Sequence, residues 1–145
     1  MKHEILVYNK TQKRAPEKFI KTVILKALDL LKLKQPVELA VLIVDKKEIK
    51  RLNKIWRKTN ETPDELSFGL NTRKIEALAK LNNGVLNLGE IVINAEKISE
   101  RNYLSKILIH CLLHLLGYNH EKPTVQTKKM EHLEKKILKY LNTKY

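Results

Sequence analysis

The stretch VELAVLIV at residues 37–44 decides the fold. Its residues are almost continuously apolar and rich in β-branched side chains, a composition typical of a strand buried within a sheet. Asp45 follows directly and can cap a helix over residues 46–57. In that helix Ile49, Leu52, Asn53 and Trp56 share one side, so Trp56 is predicted to pack in the core rather than stack on nucleic-acid bases.

The N-terminal segments add a strand and a long helix. Residues 4–8, EILVY, predict a first strand, and Pro16 suits the first turn of a helix over residues 16–34. Apolar residues recur within that helix at the spacing of one helical face. Pro36 then separates the helix from the buried strand.

The C-terminal segments supply two more strands and most of the remaining helix. In chain order they are a turn at 59–64, a strand at 65–70, a short helix near Ile75, Leu78 and Ala79, a turn at 82–84, a strand at 89–94, and helices at about 102–116 and 125–142. Strands and helices alternate early, and helices collect at the end. The pattern predicts an α+β fold, a single small domain over residues 1–145 with a mixed β-sheet of about four strands flanked by helices.

The net charge of the chain is compatible with more than one kind of partner. The 29 lysines and arginines against 16 acidic residues give a net charge of +13. Such a field favours a polyanion such as nucleic acid, but a lysine-rich solvated surface explains it equally well. No apolar run approaches the roughly 20 residues of a membrane span, and the first residues lack a secretory signal, so a cytoplasmic protein is expected.

Three of the five histidines fall within the segment HCLLHLLGYNH, residues 110–120. His110 and His114 are four residues apart on a predicted helix, so their imidazoles project from the same face. Gly117 lets the chain leave the helix and turn back, so that His120 can complete a set of three nitrogen ligands. Three protein ligands leave one position for water, which is typical of catalytic zinc.

The same histidine spacing occurs in zinc peptidases, which place a glutamate directly after the first histidine as a general base. Here that position is Cys111, the single cysteine of the chain. A thiol among apolar neighbours does not replace a carboxylate base at neutral pH. The sequence therefore predicts the ligands without the peptidase chemistry, and Cys111 is expected to be a small packing residue.

At this point the chain resembles the YbeY endoribonucleases, which are bacterial rRNA maturation factors. The resemblance rests on four segments in the expected order: LNKIWRKTNETPDELSF (52–68), LGEIVIN (88–94), IHCLLHLLGYNHE (109–121) and MEHLEKKIL (130–138). The chain departs from the family pattern at Cys111, where glycine is usual. It departs again at Pro63-Asp64-Glu65, where threonine-aspartate-valine is usual, and at Asn119, where aspartate is common.

The resemblance implies a metal-dependent endoribonuclease with one zinc ion per chain, specific for single-stranded RNA. Its context would be ribosomal RNA processing, notably maturation of the 16S 3′ end, and ribosome quality control. The implied partners are RNA, chiefly rRNA, and the ribosome, with neither DNA nor a membrane expected. The implied fold is a small mixed sheet flanked by helices.

Motif positions also carry roles over from the family. Arg57 would bind the scissile phosphate, because a guanidinium can contact two oxygens and keeps its charge. By the same resemblance, Ser67 could donate a hydrogen bond to RNA and Glu90 could orient a metal-bound histidine. Two alternatives stay open: a non-catalytic RNA-binding assembly factor with a structural metal, and a zinc peptidase.

Overall fold

In a computed structural model, residues 2–69, 84–118 and 125–144 are described, with the backbone alone at 125–127, 143 and 144. The strands are β1 (Glu4–Asn9), β2 (Val37–Val44), β3 (Glu65–Phe68) and β4 (Leu86–Asn94). The helices are α1 (Glu17–Leu31), α2 (Lys46–Trp56), α3 (Arg101–Leu115) and α4 (Val125–Lys144), and a short 3-10 turn, Ala95–Lys97, follows β4.

The four strands form one mixed sheet in the order β1-β2-β4-β3. β2 pairs in parallel with both β1 and β4, whereas the short edge strand β3 runs antiparallel to β4. The segment VELAVLIV therefore lies inside the sheet, as its apolar composition predicts. The α+β fold and the mixed four-stranded sheet are confirmed.

Helices cover the two faces of the sheet unequally. α1, α3 and α4 pack on one face, and their apolar residues form the main core with alternate residues of β1, β2 and β4. α2 packs on the other face, where Val44, Ile49, Leu66 and Val92 form a small second core. Among the described residues, α2 covers only part of that second face, and Leu6 and Tyr8 of β1 are exposed there.

Gly89 lies within a strand rather than at its start. The glycine was predicted to begin a strand, but β4 begins three residues earlier, at Leu86, and contains an irregularity in its pairing with β2. Gly89 has φ +102°, and a Cβ atom there would lie 2.1 Å from the carbonyl oxygen of Phe68. Only glycine allows β4 and the edge strand to approach so closely at this point.

Two predicted features fall outside the described residues, namely the short helix near Ile75 and the third histidine, His120. Elsewhere, the boundaries of α1 and α2 differ from prediction by at most three residues. None of the described helices is both long and apolar enough to cross a membrane.

Candidate active site

The last turns of α3 carry two of the three histidines predicted to bind the metal. Its apolar residues bury the helix against the sheet, whereas the side chains of His110 and His114 are half-buried and reach the surface. The two rings meet edge to face with 4.7 Å between their centroids. The spacing of four residues therefore brings both imidazoles to one site, as predicted.

The end of α3 is closed by Gly117 with φ +105°. The amide of Gly117 donates to the carbonyl of His114, and the amide of Tyr118 donates to that of Leu113, both at 3.0 Å. These two bonds are the Schellman arrangement, in which a left-handed glycine turns the chain away from the helix axis. The predicted end of the helix at Gly117 is confirmed.

A carboxylate from α4 contacts the first histidine. The Nδ1 atom of His110 lies 3.1 Å from Oε1 of Glu134, and this hydrogen bond raises the pKa of the imidazole. A carboxylate on Nδ1 of a histidine is the usual supporting contact of a ring that binds a metal through Nε2. The sequence signal for Glu134 is its place on the apolar stripe of α4, between the buried residues Met130 and Ile137.

Arg57 approaches the histidines from the far end of α2. It is the C-terminal cap of that helix, and its side chain is exposed. Its positive charge acts to lower the pKa of both His110 and Cys111, so the guanidinium lies within electrostatic range of α3. The buried side chain of Asn53 holds the loop that follows, because its amide group donates to Thr59 Oγ1 and to the carbonyl of Glu61.

Two departures from the family pattern lie against each other. The Cys111 thiol is fully buried and donates to Oε2 of Glu65 at 2.9 Å. Burial and the nearby carboxylate raise the pKa of the thiol well above its usual value. Cys111 is thus an uncharged packing residue, as expected, and it provides a partner for a carboxylate on β3 where the family usually has valine.

Ser67 and Glu90 lie on opposite faces of the sheet. Ser67 is half-buried and shares the face of Glu65, which is turned toward α3. Glu90 is paired with Phe68 and lies with Val92 on the α2 face, where it is exposed. Glu90 therefore lies away from the described histidines of α3, and the carboxylate found against His110 is that of Glu134. For His120, which lies outside the described residues, the expectation that Glu90 orients a histidine stays a prediction.

Trp56 also corrects a prediction. It is the last residue of α2, and 66% of its surface is exposed. The indole meets the ring of Phe68 edge to face, with 5.9 Å between centroids. The apolar stripe of α2 continues as far as Trp56, but the sheet beneath it ends at the short edge strand, so the ring is not buried.

The described donors fit a transition metal. Neutral imidazole nitrogens are ligands for zinc and related ions, and a carboxylate behind a ligating histidine is the usual supporting contact. Among the residues described, no group of three or more histidine, cysteine or acidic side chains forms a complete ligand set. The predicted third ligand, His120, lies outside them.

Similarity to known proteins extends over almost the whole chain. The sequence model of the family described as endoribonuclease YbeY matches residues 5–142. The chain belongs to the YbeY family. Curated members called endoribonuclease YbeY include one from Syntrophomonas wolfei, 34% identical over 93% of this chain and 95% of the relative. Another, from Aquifex aeolicus, is 33% identical over 97% of this chain and 93% of the relative.

A solved structure supports the fold independently. A Thermotoga maritima protein determined in solution superposes with a TM-score of 0.59, covering 93% of this chain and 87% of its own, at 23% identity. At that identity the likeness establishes the fold alone.

Proposed function

We propose that this protein is a zinc-dependent endoribonuclease that cleaves single-stranded RNA. The observation that carries the proposal is the half-buried pair His110 and His114, supported by Glu134 and within range of the charge of Arg57. The relatives named as endoribonucleases supply the reaction class. By the family resemblance, the cellular role is ribosomal RNA processing in the cytoplasm, notably at the 16S 3′ end, and ribosome quality control.

His110, His114 and His120 would hold one zinc ion, the first two by their common site and the third by its spacing after Gly117. When bound, zinc supplies a Lewis acid that stabilises charge developing on the phosphate. Glu134 accepts the Nδ1 proton of His110 and so fixes both the tautomer and the orientation of the ring. Arg57 binds the phosphate oxygens and orients the strand over the histidines.

The substrate class follows from the charge and the resemblance together. A net charge of +13 favours a polyanion, and contacts to phosphates explain affinity without sequence preference. Unpaired RNA, chiefly rRNA and the ribosome, is the proposed partner, rather than DNA. The peptidase alternative loses support because Cys111, in the place of the catalytic glutamate, is buried and protonated.

Metal removal tests the proposed function. Purified protein is expected to cut single-stranded rRNA fragments, to stop when a chelator removes zinc, and to resume when zinc is restored. A blunt-ended RNA duplex of the same composition is the control substrate and should stay intact. If protein carrying stoichiometric zinc binds rRNA and never cuts it, the assembly-factor alternative is correct.

Replacement of Glu134 by alanine is expected to weaken zinc binding roughly 10- to 100-fold, the usual cost of losing a carboxylate behind a ligating histidine. Glu134→Gln should weaken it less, because its carbonyl oxygen can still accept the Nδ1 proton. Competition with a chromophoric chelator measures the affinity. Glu131→Ala, an exposed carboxylate on the same helix, is the matched control; equal zinc affinity in both alanine variants would show that Glu134 does not position His110.

A further inference from the structure

The C-terminal end of α2 exposes apolar and basic side chains together. Trp56 is 66% exposed and its neighbour Ile55 is 51% exposed. Phe68 contacts the indole at an interplanar angle of 62°, so it supports one edge of the ring without stacking on it. A large aromatic surface is therefore available directly before Arg57, the proposed phosphate ligand.

The helical segment that carries this ring is strongly basic. The segment KRLNKIWRK, residues 50–58, contains five cations and no acid. All five are exposed: Lys50, Arg51, Lys54, Arg57 and Lys58. The neighbouring acids on α2 are already engaged, since Asp45 caps the helix and Glu48 forms an ion pair with Arg51 at 2.6 Å. The surroundings of Trp56 thus complement a negatively charged partner.

An open groove runs from this ring across the uncovered face of the sheet. Its volume is about 1100 Å³, and Trp56, Phe68, Leu52 and Lys10 contribute to its lining. At its far side the ammonium of Lys10 lies 5.7 Å from the centre of the exposed Tyr8 ring. Aromatic and cationic side chains therefore line the groove, together with the carboxylates of Asp45, Glu48 and Glu90.

We propose that Trp56 is a stacking platform for an unpaired RNA base next to the phosphate held by Arg57. The inference rests on the proposed function and deepens it, because it identifies a substrate-binding residue and a cause of single-strand preference. An exposed indole flanked by cations is the combination that single-strand-binding proteins use, since every base has a face that can stack. A paired base is already stacked between its neighbours in the duplex and cannot stack on the indole.

The chain itself supplies the probe, because Trp56 is its only tryptophan. Tryptophan emission is followed while the full-length protein is titrated with a short single-stranded oligoadenylate, with EDTA present so that the strand stays intact. Quenching that saturates with RNA binding is the expected result. A strand of equal length that lacks bases should bind more weakly and leave the emission unchanged, and so should a blunt-ended RNA duplex.

Variants separate stacking from other roles of this surface. Trp56→Ala should weaken binding of labelled oligoadenylate roughly 5- to 150-fold, from the usual contribution of one base–aromatic stack. Trp56→Phe should retain most of the affinity, because a ring remains. Ile55→Ala removes a neighbouring exposed apolar side chain and is expected to bind RNA like the wild type.

Three results would overturn the inference. One is Trp56→Ala binding RNA as tightly as the wild type, and another is unchanged emission at saturating RNA. A third is a fall in oligomeric mass in Trp56→Ala, which would identify the ring as an interface between copies of the chain. If RNA quenches the emission but is never cleaved with zinc present, the stacking site stands and the proposed function fails. If the protein cleaves RNA but Trp56→Ala binds RNA like the wild type, the proposed function stands and the stacking site fails.

Discussion

Replacement of His114 by alanine is expected to abolish RNA cleavage, lowering kcat/KM by more than about a hundredfold, and to release zinc. The loss should exceed that of Glu134→Ala, because a ligand is removed rather than the group that supports it. His114 lies at the last turn of α3, with its ring 4.7 Å from that of His110. Without it, one of the two described nitrogen donors of the site is gone.

The substitution should leave the fold intact. His114 is only half-buried, and alanine has a higher helix propensity than histidine. Circular dichroism and thermal unfolding check this point, while metal analysis and RNA cleavage are measured on the same preparation. His132→Ala is the matched control, because His132 is exposed on α4 and has no proposed role. Unchanged cleavage in His114→Ala would contradict a catalytic metal and would also indicate a contaminating nuclease.

The sequence predicted the fold wherever a local pattern has one structural solution. The continuous apolar run 37–44 became the inner strand β2, and Asp45 caps α2 by accepting the amide of Glu48. Gly89 shows where local reasoning stops. A glycine between apolar segments is consistent with a strand start, and only the approach of Phe68 on the edge strand explains its position within β4.

In the candidate site, too, local patterns predicted some residues and tertiary packing determines the others. His110 and His114 were predictable because helical spacing alone places them together. Glu134 was not, because its contact with His110 depends on how α4 packs against α3. The position of Glu90 away from His110 was not predictable either. The irregularity at Gly89 and the pairing with Phe68 determine which face of the sheet its carboxylate occupies.

Trp56 and Cys111 show how tertiary contacts give meaning to single residues. The helical stripe that includes Trp56 predicts burial, but the sheet is too narrow to cover its ring. Cys111 and Glu65 each depart from the family pattern, and neither departure is explained alone. Together they form one partly buried hydrogen bond between α3 and β3, so each residue provides the partner of the other.

Replacement of Arg57 by alanine is expected to lower kcat/KM by about 100- to 1000-fold, the usual cost of removing one charge-stabilising donor from an active site. Zinc content should stay that of the wild type, because Arg57 is not a ligand. Arg57→Lys should recover only part of the activity, since an ammonium keeps the charge but cannot make two parallel hydrogen bonds to a phosphate.

Backbone and side-chain hydrogen bonds of Asn53 hold Arg57 at the end of α2. The amide of Arg57 donates to the carbonyl of Asn53, and the side chain of Asn53 holds the loop beyond it. Arg101→Ala is the control for net charge, because Arg101 is exposed and begins α3 at the end far from the histidines. It should cut RNA like the wild type. If Arg57→Ala lost zinc together with activity, the arginine would be supporting the fold of the site, and the phosphate would need another ligand.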